Sequence, residues 1–274
     1  MRSATRWSSA GGALGALALL VAAPAAAAGG RGADGDFEER SSSHFVLHQD
    51  VDIDESGGFH GSRRFEQNVL AALEGAYDSL DRLLGLRLPR KIAVVVYDPE
   101  AFDASFRGLF RFPAAGFYHG VIRVRGDVQV TYALQRVLHH ELVHAALDAA
   151  APSYVFPGWL NEGLAEWFEA RALGQRGLGG REWGALRSAA AHGSLIPYAA
   201  LSAPAFGHLG TERAALAYLQ SYALIDHLAR RHGERTLQEL VDALVRSRDA
   251  ERALRRVYRS DLAGLEAAFL SELR

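Results

Sequence analysis

The sequence predicts an α+β protein, with a small N-terminal lobe of mixed sheet and one helix followed by a mostly helical C-terminal lobe. Three observations carry that prediction. "HFVLHQDV" (44–51) and "KIAVVVYD" (91–98) are β-prone runs separated by a long stretch with helical spacing. A third β-prone run, "AAGFYHGVIRVRG" (114–126), is bracketed by Gly116, Gly120 and Gly126. Beyond Val128 nearly every segment repeats its apolar residues with the period of a helix.

Taken in order, the chain opens with arginines at Arg2 and Arg6, an apolar run over 14–23 and small residues at 26–28. That three-part layout predicts a secretory signal over 1–28, hence export and no stable membrane insertion after cleavage. The competing reading is an uncleaved anchor, since 10–28 is about long enough to span a bilayer; Pro24 and the Ala/Gly content count against it. The polar stretch 29–43 reads as a mobile tether, and 44–274 as one domain with an α/β lobe (44–126) and a helical lobe (127–274). Within it, 44–51 is a strand and 65–86 a helix, with Val69, Leu70, Leu73, Leu80 and Leu83 on its apolar face. The run 91–98, bounded by Pro89 and Pro99, is a buried strand, and 114–126 a strand or hairpin. Helices are expected over 128–148, 159–173, 213–232, 236–246 and 262–273, with Gly233 a stop after the cationic turn "ARRH". "GQRGLGG" (174–180) lacks a following Lys-Ser/Thr and a preceding strand, so it reads as a flexible loop and not a phosphate loop.

Composition narrows the function. With 274 residues, 49% of them hydrophobic, the chain can bury a sizeable core. A net charge of −2 removes the electrostatic case for nucleic acid or an anionic membrane surface as partner. There is no cysteine, so neither a disulfide framework nor a lipidated cysteine accompanies export.

The chemistry concentrates in "VLHHELVHAALDAA" (137–150). His140 and His144 are one helical turn apart on one face, with Glu141 beside them, the pattern HExxH. Burying these side chains among Val137, Leu138, Leu142, Val143 and Leu147 is costly unless a partner satisfies them, and a divalent metal does so directly. "PGWLNEGLAEWFEA" (157–170) then supplies Glu162 as a third ligand on a neighbouring helix. Glu166, one turn further, can accept the N–H of a ligating histidine. The competing reading of Glu162 and Glu166 is a solvated helix stripe.

"HELVH" with "WLNEGLAEWF" resembles the gluzincin metallopeptidases, and the compact size resembles the peptidase MA-like domains of exported bacterial proteins. The resemblance implies a thermolysin-like core with a zinc site in the cleft between the lobes. It implies that His140, His144 and Glu162 hold Zn2+, that Glu141 is the general base, that Glu166 orients His140 and that Asn161 supports His144. The helix "AYLQSYALIDHL" (217–228) is similar to one that carries an oxyanion-stabilising tyrosine, here Tyr218, with Tyr222 in reserve. The run 116–124 resembles the edge strand on which an extended peptide lies by β-pairing. "GFYHGVIRV" holds none of the acids that grip a free amine, which disfavours an aminopeptidase and leaves an endopeptidase acting on peptides or proteins. The alternative is a metal-stabilised, non-cutting domain that binds envelope proteins or peptides; a fourth protein ligand closing the coordination shell would mark it.

Overall fold

The computed structural model describes residues 37–51, 61–111 and 113–273; the signal and the first part of the tether lie outside them. The chain runs β1 (Glu38–Ser41), β2 (Phe45–Asp50), α1 (Gly61–Leu84), β3 (Ile92–Tyr97), α2 (Pro99–Ser105), β4 (Gly116–Tyr118) and β5 (Ile122–Arg125). The helices α3 (Tyr132–Ala150), α4 (Gly158–Ala172), α5 (Gly180–Ala191), α6 (Tyr198–Leu201), α7 (Thr211–His232), α8 (Glu234–Ser247), α9 (Ala250–Tyr258) and α10 (Leu262–Glu272) follow. The expected division into a mixed-sheet lobe and a helical region is present.

The sheet order is β1-β2-β3-β5-β4. The three inner strands are parallel, with Leu47 opposite Val94 and Val94 opposite Ile122; the two outer strands are antiparallel to their neighbours. A parallel strand covered on both faces reads as a continuous apolar run, which is why "IAVVVY" sits at the centre. Val94 and Val96 face the main core with Leu47, Val69, Leu73 and Leu142, beneath α1 and α3. Val95 and Tyr97 face the other way, into a small aromatic cluster with Phe102 of α2 and Phe117 of β4. The 114–126 segment is a hairpin, β4–β5, and β4 forms one edge of the sheet.

The tether is corrected at its C-terminal end. Glu38–Ser41 pairs with β2, Glu38 opposite Gln49 and Ser41 opposite Val46. An edge strand with charged side chains carries no apolar alternation for sequence reading to detect. Helix α3 starts at Tyr132, later than expected, because Thr131 caps it, its side chain accepting from the Leu134 N–H. Helices α2, α5, α6 and α9 were not anticipated; α2 begins with Pro99 at its first turn, the residue that had marked only the end of a strand.

Two glycines fix how the layers meet. A Cβ on Gly116 would lie 2.6 Å from Val137 Cγ1, so the β4 edge rests directly on α3. A Cβ on Gly163 would lie 2.6 Å from the Ser221 carbonyl oxygen and 2.8 Å from Ile225 Cγ1, so α4 and α7 approach backbone to backbone beside Glu162. Among the described residues, no helix is long and apolar enough to cross a membrane.

Candidate metal centre

Helix α3 is buried without interruption from Val137 to Leu147, packed against α1, α4, β4 and β5. An amphipathic helix would carry its polar residues outward; here the polar residues His139, His140, Glu141 and His144 are inside with the rest. Helix α4 is buried in the same way, with Trp159, Leu160 and Trp167 in the core and Glu162 fully inaccessible. The two helices therefore present charged groups to each other and not to water.

His140 Nε2 is 3.3 Å and His144 Nε2 3.5 Å from the same atom, Glu162 Oε2. One ligand atom from each of the three residues lies within 4.8 Å of the others, and no fourth residue joins this group among the described residues. Several of the polar atoms here have no hydrogen-bonding partner in the protein: His140 Nδ1, both oxygens of Glu141, His144 Nε2 and Glu162 Oε1. Leaving such groups buried and unmatched costs of order 1–3 kcal/mol each, more for charged ones. A divalent cation at the point where they converge satisfies the histidines and Glu162 together, and two imidazoles with one carboxylate are the donor set of a borderline-soft ion with an open position. The residues fit a metal.

Their protonation follows from burial and neighbours. Burial pushes the Glu141 carboxyl up to about 7, against the pull of His144 and His140. Burial also disfavours ionised Glu162, but the two histidines outweigh it and hold the group below the ordinary carboxylate range. His140 shows the reverse balance: burial would lower it, and Glu162 and Glu169 hold it well above the usual imidazole value. Glu166 is pushed up to about 7 by burial and by the charge of Glu169.

Around this centre the expected residues are gathered, with one change of place. His144 Nδ1 donates to Asn161 Oδ1 at 3.1 Å, leaving Nε2 directed at Glu162. Beside His140 Nδ1 the nearer carboxylate is Glu169, whose Oε2 is 3.4 Å away; Glu166 Oε1 is at 3.9 Å. Glu169 is ion-paired with Arg136, which also lies 3.8 Å from Glu166 Oε2. Sequence reading missed Glu169 and Arg136. The available signal was the stripe Glu162, Glu166, Glu169 along one face of α4, with Arg136 one turn before His140 on α3.

Tyr218 and Tyr222 both project from the buried face of α7. The phenol of Tyr218 is raised well above its ordinary pKa by burial and by the charges of Glu162, Glu166 and Glu141. Its ring packs edge-on to Phe206 with centroids 5.4 Å apart. Tyr222 has a buried hydroxyl without a hydrogen-bonding partner; burial first, then the charges of Asp226, Glu166 and Glu169, raise its phenol above its ordinary value. Further along α3, the Tyr118 hydroxyl of the β4 edge donates to Asp148 Oδ2 at 2.8 Å, one turn beyond His144.

Comparison with known proteins agrees with this geometry. Over 223 residues the chain is 26% identical to YhcO of Bacillus subtilis (strain 168), itself described as an uncharacterized protein. The match covers 72% of this chain and spans 62% of the length of that relative. The model of the Peptidase MA superfamily matches residues 83–273, well over half of the chain and all of the helices that build the histidine and glutamate cluster. By that match the chain belongs to the Peptidase MA superfamily.

Proposed function

We propose that this protein is an exported zinc-dependent peptidase, an endopeptidase with Glu141 as general base. Superfamily membership and the potential metal-binding triad support a metal-dependent hydrolase in general. The observation that carries the finer reading is Glu141: a fully buried carboxylate with neither oxygen hydrogen-bonded, set beside His140, His144 and Glu162. A structural ion pair would have matched those oxygens; a proton carrier needs them free.

Zinc held by His140, His144 and Glu162 would lower the pKa of water and polarise the scissile carbonyl. Glu141 takes the proton from the attacking water and passes it to the leaving amine, roles that suit a carboxyl raised to about 7. Asn161 keeps His144 in the tautomer whose Nε2 can ligate. Tyr218 supplies an O–H for the oxyanion that develops as the carbonyl is attacked. The outer edge of β4 offers backbone groups to an extended peptide, which gives recognition without much side-chain selectivity. Export rests on the signal read over 1–28, ahead of a catalytic domain over 44–274. A metal-stabilised binding domain would be marked by a fourth protein ligand, and none joins the triad among the described residues.

The test uses the protein from about Gly29 onward, loaded with zinc and incubated with a diverse peptide pool read by mass spectrometry, beside Glu141→Gln. Internal cuts made only by the unmodified protein are expected. Zinc bound by both proteins with no cleavage by either would favour the binding domain.

A further inference from the structure

We infer that Glu169, clamped by Arg136, is the positioning residue for His140, in place of Glu166, the carboxylate that the family resemblance selects. The inference rests on the reading of His140 as a metal ligand.

The geometry divides the work of the Glu169 carboxylate between its two oxygens. Arg136 reaches Oε1 through both Nε and Nη2, and Oε2 faces His140 Nδ1 at 3.4 Å. The side chains of Arg136, Glu169 and His140 are 19%, 5% and 1% exposed, so the row runs from near the surface to the ligand with little water between. Arg136 and His140 are one turn apart on α3, while Glu169 comes from α4. The row therefore also fixes the register of the two helices that carry the ligands. Glu166 stands further from both neighbours, at 3.9 Å from His140 Nδ1 and 3.8 Å from Arg136.

A carboxylate on the far nitrogen of a ligating histidine sets its tautomer and ring orientation and raises its basicity. Glu169 can do this because a guanidinium held on one oxygen leaves the other free for the imidazole; His140 Nδ1, 3.4 Å from that oxygen, has no hydrogen-bonding partner in this structure, so the bond forms only with a small adjustment of the ring. In Glu169→Gln only one acceptor remains for two donors, and the amide must abandon either Arg136 or His140.

The experiment compares wild type, Glu169→Gln, Glu166→Gln and His140→Ala. Zinc affinity is read by competition with a chromophoric chelator, and thermal melting of the metal-free proteins confirms folding. Alongside, the Nδ1–H resonance of His140 is followed by 15N NMR on metal-free protein, a signal that mere packing by Glu169 would not tie to this one ring. Zinc binding about 10–100-fold weaker in Glu169→Gln, a smaller loss in Glu166→Gln and a shifted His140 signal in the first variant alone are expected. Equal losses, the reverse order, or wild-type affinity in both variants would overturn the inference. If wild type binds no zinc, the metal reading fails by itself. The NMR signal then decides the positioning role: a shift in Glu169→Gln alone upholds it, and a shift in Glu166→Gln alone, or in neither, overturns it.

Discussion

Two clusters of charge sit in the helical region, one half-exposed and one buried, and they are built on opposite plans. Between α7 and α10, Arg230 Nε is 2.9 Å from Asp226 Oδ2 and its Nη2 3.2 Å from Glu272 Oε2, while His227 Nδ1 is 2.9 Å from Glu272 Oε1. Each carboxylate there faces a cation supplied by the chain. Between α3 and α4, four carboxylates, Glu141, Glu162, Glu166 and Glu169, crowd around two histidines with Arg136 as the permanent cation near them. In the first cluster Arg230 bridges both carboxylates and ties the C-terminal helix to the body, although the ring nitrogens of His227 make no hydrogen bond of regular geometry. The second leaves buried polar atoms of His140, Glu141, His144 and Glu162 without partners, a cost that a cation bound there would remove. What distinguishes the second cluster is that its carboxylates are buried or nearly so and outnumber the cations the chain supplies beside them.

The largest effect that tests this contrast is on turnover. Glu141→Gln should lower peptide hydrolysis by about 10²–10⁴-fold while zinc content, measured by mass spectrometry, stays at the wild-type level. Loss of zinc in that variant would show Glu141 to be a ligand and not the base. Next in size is metal-linked stability. Zinc at about 1,000 times its Kd should stabilise the wild type by about 4 kcal/mol in chemical unfolding, and chelation should remove the whole increment. The same zinc should leave His144→Ala unchanged.

A smaller effect concerns how α7 is seated against the centre. Gly163→Ala drives a Cβ into the Ser221 carbonyl and should cost about 1–3 kcal/mol in urea unfolding. Gly184→Ala, in the middle of α5 with open space around it, should stabilise by up to about 1 kcal/mol. Equal effects of the two would break the claim that α4 and α7 are in backbone contact.

The smallest effect belongs to the cluster between α7 and α10. Burial would raise Glu272, but the close approach and charge of His227, aided by Arg230, hold it below its ordinary value of 4.5. A carboxyl depressed in the folded state contributes stability that is present above its unfolded pKa and is lost as pH falls through the folded one. The stability advantage of wild type over Glu272→Gln should therefore be steady at mildly acidic pH and shrink below about pH 4.5. An advantage that persists to lower pH would show that the ion pairs are not its source.

How much of this was legible in the sequence depended on how local each signal is. The HELVH pair could be read because four residues make one helical turn, and Glu162 because Asn-Glu-Gly-Leu-Ala opens a second buried helix. β3 could be read because a central parallel strand is apolar on both faces. The edge strand β1 could not, since its residues Glu-Glu-Arg-Ser owe their conformation to backbone pairing with β2. Glu169 was hidden for a different reason. Four and seven residues after the ligand lie on nearly the same helix face, so spacing admits both Glu166 and Glu169. In the inference above Arg136, on another helix, makes the choice between them by pairing with Glu169, and only packing brings it there.

The most direct test of the central claim, that the α3–α4 cluster is incomplete without a cation, is calorimetric titration of the metal-free protein with zinc, beside His140→Ala and Glu162→Ala. One zinc per chain in the wild type, with binding abolished or strongly weakened in both variants, is the predicted result. No binding by the wild type, or equal binding by all three proteins, would contradict it.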